Sequence, residues 1–385
     1  MVTSTVLPSL LISLSKVHSN ATNILSTCRK HKVQPCAVTK GVCADPKVAE
    51  TLINAGFDML ADSRIQNLIE LRRTFPSIKL LHLRIPMISE INQVVETVDY
   101  SLVSEWETLV ALNASAKMFH KVHNVILMLE LGDLREGMHE EELFSMIPYF
   151  ANSTTVSSEL VDHSQSSGIT GSFPNVVKKL ENISLTGIGV NLTCYGGVLP
   201  DETNLGKLAD IANKVSKYCD LEIISGGNSS SFYLLEAGSL PPFINNLRLG
   251  ESLLLGRECA FGKLINGCVS DAFTIEAEIV ELRTKPSIPT GTIGMNAFGE
   301  TPSPPKDNGM VKRAILALGE QDADCENLVP LDEGVEILGA SSDHLIVDVT
   351  NSGKSMVVGD TLTFGINYST LLKAFTSKYV GRKYV

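Results

Sequence analysis

The chain has 385 residues, 44% of them hydrophobic and 19% charged, a globular composition with enough apolar material for a large core and room for two domains. A formal charge of −11, with 32 basic residues scattered along the chain, leaves no electrostatic footprint for nucleic acid and points to a small-molecule partner. The apolar runs, such as VILMLEL from Val125, are strand-length and fall well short of the roughly 18 residues a membrane span requires.

The first apolar stretch, VLPSLLISL from Val6, is followed directly by Lys16 and His18, with no basic leader before it and no small-residue cleavage site after it. It reads as a strand entering the fold. From about Val33 to Arg257 short apolar runs alternate with amphipathic stretches. The runs are PCAVTK (ending at Lys40), GFDMLADS (from Gly56), SIKLLHLRI (from Ser77), YSLVSE (from Tyr100), VHNVILMLEL (from Val122), SLTGIGVNL (from Ser184), LEIISGG (from Leu221) and NLRLGESLLLG (from Asn246). The helical stretch after the first run is well punctuated, with Asp45 as N-cap, Pro46 at the first helical position and Gly56 closing it. Eight strand–helix units in succession predict an α/β fold of the (β/α)8, or TIM barrel, type. A helix is predicted from His139, and the stretch after it, near 151–173, is rich in Ser and Thr without period and reads as a surface insertion.

After Gly256 the texture changes. Alternating segments such as FTIEAEIVELR and HLIVDVT, separated by Pro- and Gly-rich turns such as SIPTGTIG and TPSPPKDNG, predict a smaller, mainly β domain. The expected division is 1–266 for the barrel and 267–385 for the β domain. Cysteines 28, 36, 43, 194, 219, 259, 268 and 325 show no CxxC pairing and mostly lie in apolar segments, which suits reduced thiols and a cytoplasmic protein. His120 and His123 form a lone HxxH beside a strand without supporting carboxylates, so they read as structural and no metal site is expected.

Chemistry concentrates at three strand ends. Lys40 closes the first barrel run and precedes Gly41, which places an amine at the C-terminal mouth where barrel active sites lie. Flanked by Val38 and Val42, it is a candidate Schiff-base lysine; the alternative is a surface lysine at a strand end. SGGNSSSF from Ser225 combines two glycines that admit close backbone approach with hydroxyls and amides at a helix start, the physical ingredients of a phosphate cradle. RLGES adds Arg248 on the eighth run and Gly250 after it.

AVTKG, SGGNSSSF and NLRLGESLLLG, in this order and spacing, resemble the barrel of the alanine racemases that carry pyridoxal phosphate (PLP). LGDLREGM from Leu131, GIGVNLTCYGG from Gly187 and LGASSDHLIVDV from Leu338 are similar, more specifically, to ornithine racemases and related broad amino-acid racemases of that fold. The resemblance spans nearly the whole chain except the Ser-rich insertion. It implies racemisation of a free amino acid, ornithine or another basic one, at the α-carbon, and a homodimer in which the β domain of one chain covers the site of the other. Lys40 would carry the cofactor and act as one of two proton-transfer bases. Ser229, Ser230 and the backbone at Gly250 and Glu251 would bind the phosphate, and Arg248 would face the pyridine nitrogen. Asn191 stands where alanine racemases have a histidine near the ring, and Arg135 would reach the cofactor hydroxyl or the substrate carboxylate; the alternative for Arg135 is a surface arginine in a charged loop.

One departure concerns the second base, a tyrosine in alanine racemases. The corresponding turn, TIGMNAFGE, carries Met295, and a thioether moves no proton. The expectation therefore passes to the turn ASSDHLIVDV, to His344 and Asp343, whose alternative roles are packing on the strand and capping the turn. Rival readings are a PLP-homeostasis protein, which has only the barrel, a fold-related PLP decarboxylase or aldolase, a cofactor-independent racemase using thiols such as Cys43 and Cys194, and a non-enzymatic binding module.

Overall fold

The computed structural model describes residues 6–150, 152–153, 179–296, 298–299, 301 and 306–385. The insertion expected near 151–173 lies outside the described residues apart from Asn152 and Ser153, as do Ala297 and Glu300 of the TIGMNAFGE turn and 302–305 of the next.

The described chain divides into two units, one formed by 17–40 and 44–268, the other by 1–16, 41–43 and 269–385. The first is a closed barrel of eight strands: β2 (Cys36–Val38), β3 (Met59–Asp62), β4 (Lys79–His82), β5 (Tyr100–Val103), β6 (His123–Leu129), β7 (Ile183–Val190), β8 (Ile223–Asn228) and β9 (Asn246–Leu249). Every neighbouring pair is parallel, and β2 closes the ring on β9 through Cys36 opposite Arg248 and Ala37 opposite Leu249. Each strand coincides with one of the eight apolar runs, β7 starting one residue before its run and β8 ending one residue after its own. Those runs are apolar because a parallel barrel buries both faces of its strands: Val125, Ile126, Leu127, Met128 and Leu129 are all essentially inaccessible.

Among the described residues the helices of this unit are α2 (Pro46–Asn54), α3 (Ile65–Thr74), α4 (Ile91–Thr97), α5 (Trp106–Met118), α6 (Glu140–Met146), α7 (Glu202–Val215), α8 (Phe232–Ala237) and α9 (Glu251–Leu255), following α1 (Leu14–Lys30). Asp45 caps α2 as its sequence position suggests, accepting from the amides of Lys47 at 3.1 Å and Val48 at 3.2 Å. The eighth run splits: β9 ends at Leu249 and SLLL is helical in α9, hinged at Gly250. An unbroken apolar run carries no period that separates a buried strand from a buried helix.

Inside the barrel, alternate strand residues meet in one cluster of Cys36, Val38, Met59, Ala61, Leu81, Tyr100, Leu102, Ile126, Met128 and Ile223. Each large member withdrawn from water stabilises the fold by about 1.5–3 kcal/mol. The interior is apolar over β2 to β6 and turns polar at β8 and β9, where Ser225, Asn246 and Arg248 are buried.

The second unit is an antiparallel sheet running β12 (Val329–Pro330), β15 (Thr361–Gly365), β10 (Phe273–Pro286), β11 (Met310–Leu316), β14 (Leu345–Asp348) and β13 (Glu336–Ala340), with α10 (Tyr368–Thr376) following β15. The chain's opening strand belongs here and not to the barrel. This strand, β1 (Ser9–Ile12), pairs antiparallel with β10 and parallel with β16 (Gly381–Tyr384), which corrects its expected place in a 1–266 barrel domain. Leu10 and Ile12 are fully buried and Ser9 Oγ donates to Glu276 Oε1 at 2.8 Å. Local sequence marks β1 as a strand but holds nothing about its partner 260 or so residues away, which is a tertiary choice.

Candidate active site

The ends of β8 and β9 build a buried polar corner. Arg248 is 5% exposed. Its Nη1 donates to Ser225 Oγ at 2.6 Å, and its Nη2 to the Val190 carbonyl at 2.8 Å and to Asn191 Oδ1 at 3.4 Å. Ser225 Oγ in turn donates to Asn246 Oδ1 at 2.7 Å, and the Asn246 amide to the Gln34 carbonyl at 2.8 Å. Every partner of this guanidinium is neutral. Burial therefore lowers its pKa from the ordinary arginine value, while Glu136, acting from a distance, pulls the other way and Arg135 adds to the lowering. Cys36 faces it from β2, yet burial pushes that thiol up to about 12, against the pull of Arg248, so it stays neutral.

Beside this corner the SGGNSSSF motif turns from β8 through a short 3-10 turn, Ser229–Ser231, into α8. Gly227 has φ +109°, and a Cβ there would stand 2.7 Å from Ser231 Oγ, so the turn requires glycine. Ser229 Oγ receives the Gly250 amide at 3.2 Å and the Ser252 amide at 3.3 Å and lies 3.0 Å from Ser252 Oγ. Ser230 Oγ is buried and has no hydrogen-bond partner among the described residues. A buried hydroxyl left without a partner is unfavourable by about 1–3 kcal/mol, and an anionic oxygen seated at this turn would satisfy it.

Lys40 stands two residues beyond β2, opening a 3-10 turn Lys40–Val42 with its side chain exposed. Glu251 opens α9. Burial raises its carboxyl pKa, opposed by the Cys259 thiol bonded to it and by the charge of Lys40. Lys40 and the Gly250–Glu251 corner thus lie on the same, C-terminal side of the barrel.

Two loops complete the same opening. The loop after β6 is pinched at its neck, Met138 N donating to the Met128 carbonyl at 2.9 Å and Glu130 N to the Met138 carbonyl at 3.0 Å. Gly137, at φ +148°, makes the pinch possible, since a Cβ would lie 2.5 Å from the backbone of Leu129 and Glu130. Asp133, fully buried, ties this loop to the one after β7 by accepting from the amides of Tyr195 at 3.1 Å, Gly196 at 3.0 Å and Val198 at 3.4 Å. Arg135, at the loop's tip, forms an ion pair with Glu136. Its guanidinium adjoins Asn191: in one orientation of that amide the oxygen accepts from Arg248 and from Asn228 at 3.3 Å, and in the other from Nε and Nη1 of Arg135, each at 2.8 Å, and from its Nη2. The single oxygen of Asn191 thus serves one guanidinium at a time.

His344 and Asp343 lie in the other unit, in the turn between β13 and β14. The turn closes through Ser341 N to the His344 carbonyl at 2.8 Å. Asp343 accepts from Gln321 and from Ser342 Oγ at 2.7 Å, whereas the His344 side chain is exposed. His123 Nε2 lies 2.9 Å from buried Ser101 Oγ, and no group of three or more metal-ligating side chains occurs among the described residues.

The corner therefore brings together Arg248, Ser229, Ser230, Gly250 and Glu251, with Asn191 and Arg135 beside it. Sequence reasoning left Ser225, Asn246, Ser252, Asp133 and Glu136 without roles. The period of two along NLRL would have found Asn246, which shares a strand face with Arg248.

Ornithine racemase of Acetoanaerobium sticklandii is 46% identical to this chain over 378 residues, covering 98% of this chain and 99% of that protein. This chain belongs to the alanine racemase family. Residues 12–163 match the family model of the alanine racemase N-terminal domain. A second family relative, lysine racemase of Thermotoga maritima, is 36% identical over 381 residues, covering 98% of this chain and 99% of that protein. Among solved structures, alanine racemase from Bartonella henselae with covalently bound pyridoxal phosphate superposes with a TM-score of 0.69 at 16% identity, over 98% of this chain and 99% of that one. The family's barrel followed by a β domain is the architecture found here.

Proposed function

We propose that this protein is a PLP-dependent racemase that inverts the α-carbon of a free basic amino acid, ornithine or lysine. The observation that carries the reading is the corner where buried Ser230 Oγ lacks a partner beside Arg248, a buried cation with only neutral ones. The corner fits the cofactor: hydroxyls and amides for a phosphate at Ser229, Ser230, Gly250 and Glu251, and a fixed positive charge for the ring nitrogen. Two relatives of the same length, named for ornithine and for lysine, support the substrate class.

PLP, when bound, supplies the electron sink that makes an α-proton removable. Lys40 holds the cofactor and takes or returns the proton on one face of the α-carbon. Arg248 keeps the ring nitrogen unprotonated, because two adjacent cations in a desolvated corner repel strongly. An arginine in that place would restrain the electron sink of bound PLP and so favour racemisation over reactions that draw on it more heavily. Asn191 hydrogen-bonds beside the ring without adding charge, and Arg135 receives the substrate carboxylate. His344 serves the opposite face, with Asp343, both of whose oxygens are engaged, shaping the turn. By family similarity we place His344 in a homodimer, acting on the site of the partner chain. Eight free cysteines support a reducing, cytoplasmic setting. No described helix is long and apolar enough to cross a membrane.

The test is spectroscopic and chiral. The purified protein should carry a yellow, borohydride-reducible chromophore and interconvert L- and D-ornithine or lysine, and Lys40→Ala should lose both. A colourless wild type, or a Lys40→Ala protein that keeps the reducible chromophore, would overturn the assignment.

A further inference from the structure

We propose that Glu136 sets the preference for a basic side chain by receiving the substrate's distal ammonium; this rests on the function proposed above. The two loops at the barrel opening present three carboxylates after β6. Asp133 is buried and saturated by three backbone amides. Glu130 accepts from the Gly132 amide of its own turn. Glu136 engages a side chain only, the guanidinium of Arg135, and it also acts electrostatically on Arg248.

The Arg135–Glu136 pair has the layout of a ruler. Glu136 occupies the Nε and Nη2 edge of the planar fork, Asn191 lies against all three of its nitrogens, and the remaining edge, from Nη1 to Nη2, holds no carboxylate among the described residues. A substrate carboxylate bound at that second edge would lie roughly 5–8 Å from the Glu136 carboxylate, given hydrogen bonds of about 2.9 Å on either side of a guanidinium. Three or four methylenes carry an ammonium across that gap; a methyl group does not.

Charge points the same way. Arg135 and Arg248 together would repel a distal ammonium, and Glu136 is the counter-charge that removes the repulsion. Before substrate arrives, the same carboxylate is held by Arg135. Glu136 need not leave Arg135 to do this, because a carboxylate that accepts from one edge of a guanidinium keeps lone pairs for an ammonium. The pinched neck and the Asp133 tether keep both residues in place, so the spacing is a property of the folded loops.

The experiment compares ornithine with norvaline, the same carbon chain without the ammonium, in wild type and Glu136→Gln. Racemisation is followed by chiral chromatography, and affinity by calorimetry on protein whose cofactor has been fixed by borohydride. The ratio of kcat/KM for ornithine to that for norvaline should fall about 10- to 100-fold in Glu136→Gln, and calorimetric affinity should weaken for ornithine while that for norvaline stays level. An unchanged ratio, or a parallel fall for both amino acids, overturns the proposal; the parallel fall would mean that Glu136 only orients Arg135. A wild type that racemises no amino acid would instead sink the function proposed above, and the calorimetric comparison would still decide whether Glu136 recognises the ammonium. Retention of the chromophore in Glu136→Gln shows that the fold is intact.

Discussion

The barrel corner at β8 and β9 and the hairpin between β13 and β14 both hold polar side chains expected to act on substrate, but they are built on opposite terms. In the corner, water is excluded, so Arg248, Ser225 and Asn246 must satisfy one another and each position is dictated by its neighbours. In the hairpin, the backbone is held through Ser341 and through Glu320 N donating to the Ser341 carbonyl at 3.0 Å, and Asp343 by Gln321 and Ser342, but the His344 side chain is exposed. A buried network determines its own geometry within one chain. An exposed side chain takes its geometry from what it meets.

Reversing the charge in the corner should break it most severely. Arg248→Glu removes the donor to Ser225 and Val190 and places there a carboxylate that would stabilise a protonated ring nitrogen. Racemisation should slow by about a thousandfold or more, with a transamination side product appearing. If the variant binds PLP and its rate and products match wild type, the arginine does not govern the ring.

His344→Ala probes the exposed side of the comparison. Loss of one of two proton-transfer groups should slow racemisation by about a hundredfold, with solvent deuterium still entering from one enantiomer through Lys40. The thermal stability of the variant should be nearly unchanged, because an exposed side chain contributes little to folding. Normal racemisation in both His344→Ala and Asp343→Asn would move the second base elsewhere.

Acid titration sharpens the contrast through the barrel's own histidines. Burial pulls the pKa of His82 and of His123 from 6.5 to about 4, with Arg84 adding to the effect on His82 and Lys121 to that on His123. Below pH 6.5 the unfolded chain takes up protons that the folded one refuses, so stability is complete above 6.5 and is lost as the pH falls toward 4, by up to about 3 kcal/mol for each histidine. Both ring nitrogens of His82 lack hydrogen-bond partners among the described residues. His82→Leu should therefore stay within about 1 kcal/mol of wild type at pH 7 while losing the part of the acid sensitivity that His82 contributes. Urea midpoints at pH 7, 5 and 4 measure it, and an unaltered pH slope would contradict the burial argument.

Much of the site was legible because barrel strands present chemistry at their ends. Lys40 and the serines after Gly227 each follow a barrel strand, and Arg248 stands within the last one. Ser225 and Asn246 went unassigned because small polar residues inside apolar runs look like ordinary strand positions until the barrel closes and leaves them facing a guanidinium. Asp133 was invisible for a different reason: its partners are backbone amides some 60 residues away, and backbone amides have no sequence signature.

The sequence by itself determined the order of strands and helices, the change to alternating β segments after Gly256, and the residue types at the barrel mouth. Periodicity, caps and turn residues act over a few positions and need no partner to be read. Tertiary structure alone decided that β1 joins β10 and β16 across the length of the chain, that SLLL after Gly250 coils into a helix, and that Asp133 locks two loops so that Arg135, Glu136 and Asn191 meet. These outcomes depend on which distant surfaces bury one another and which buried polar atoms find partners, free energies that exist only once the chain has closed on itself.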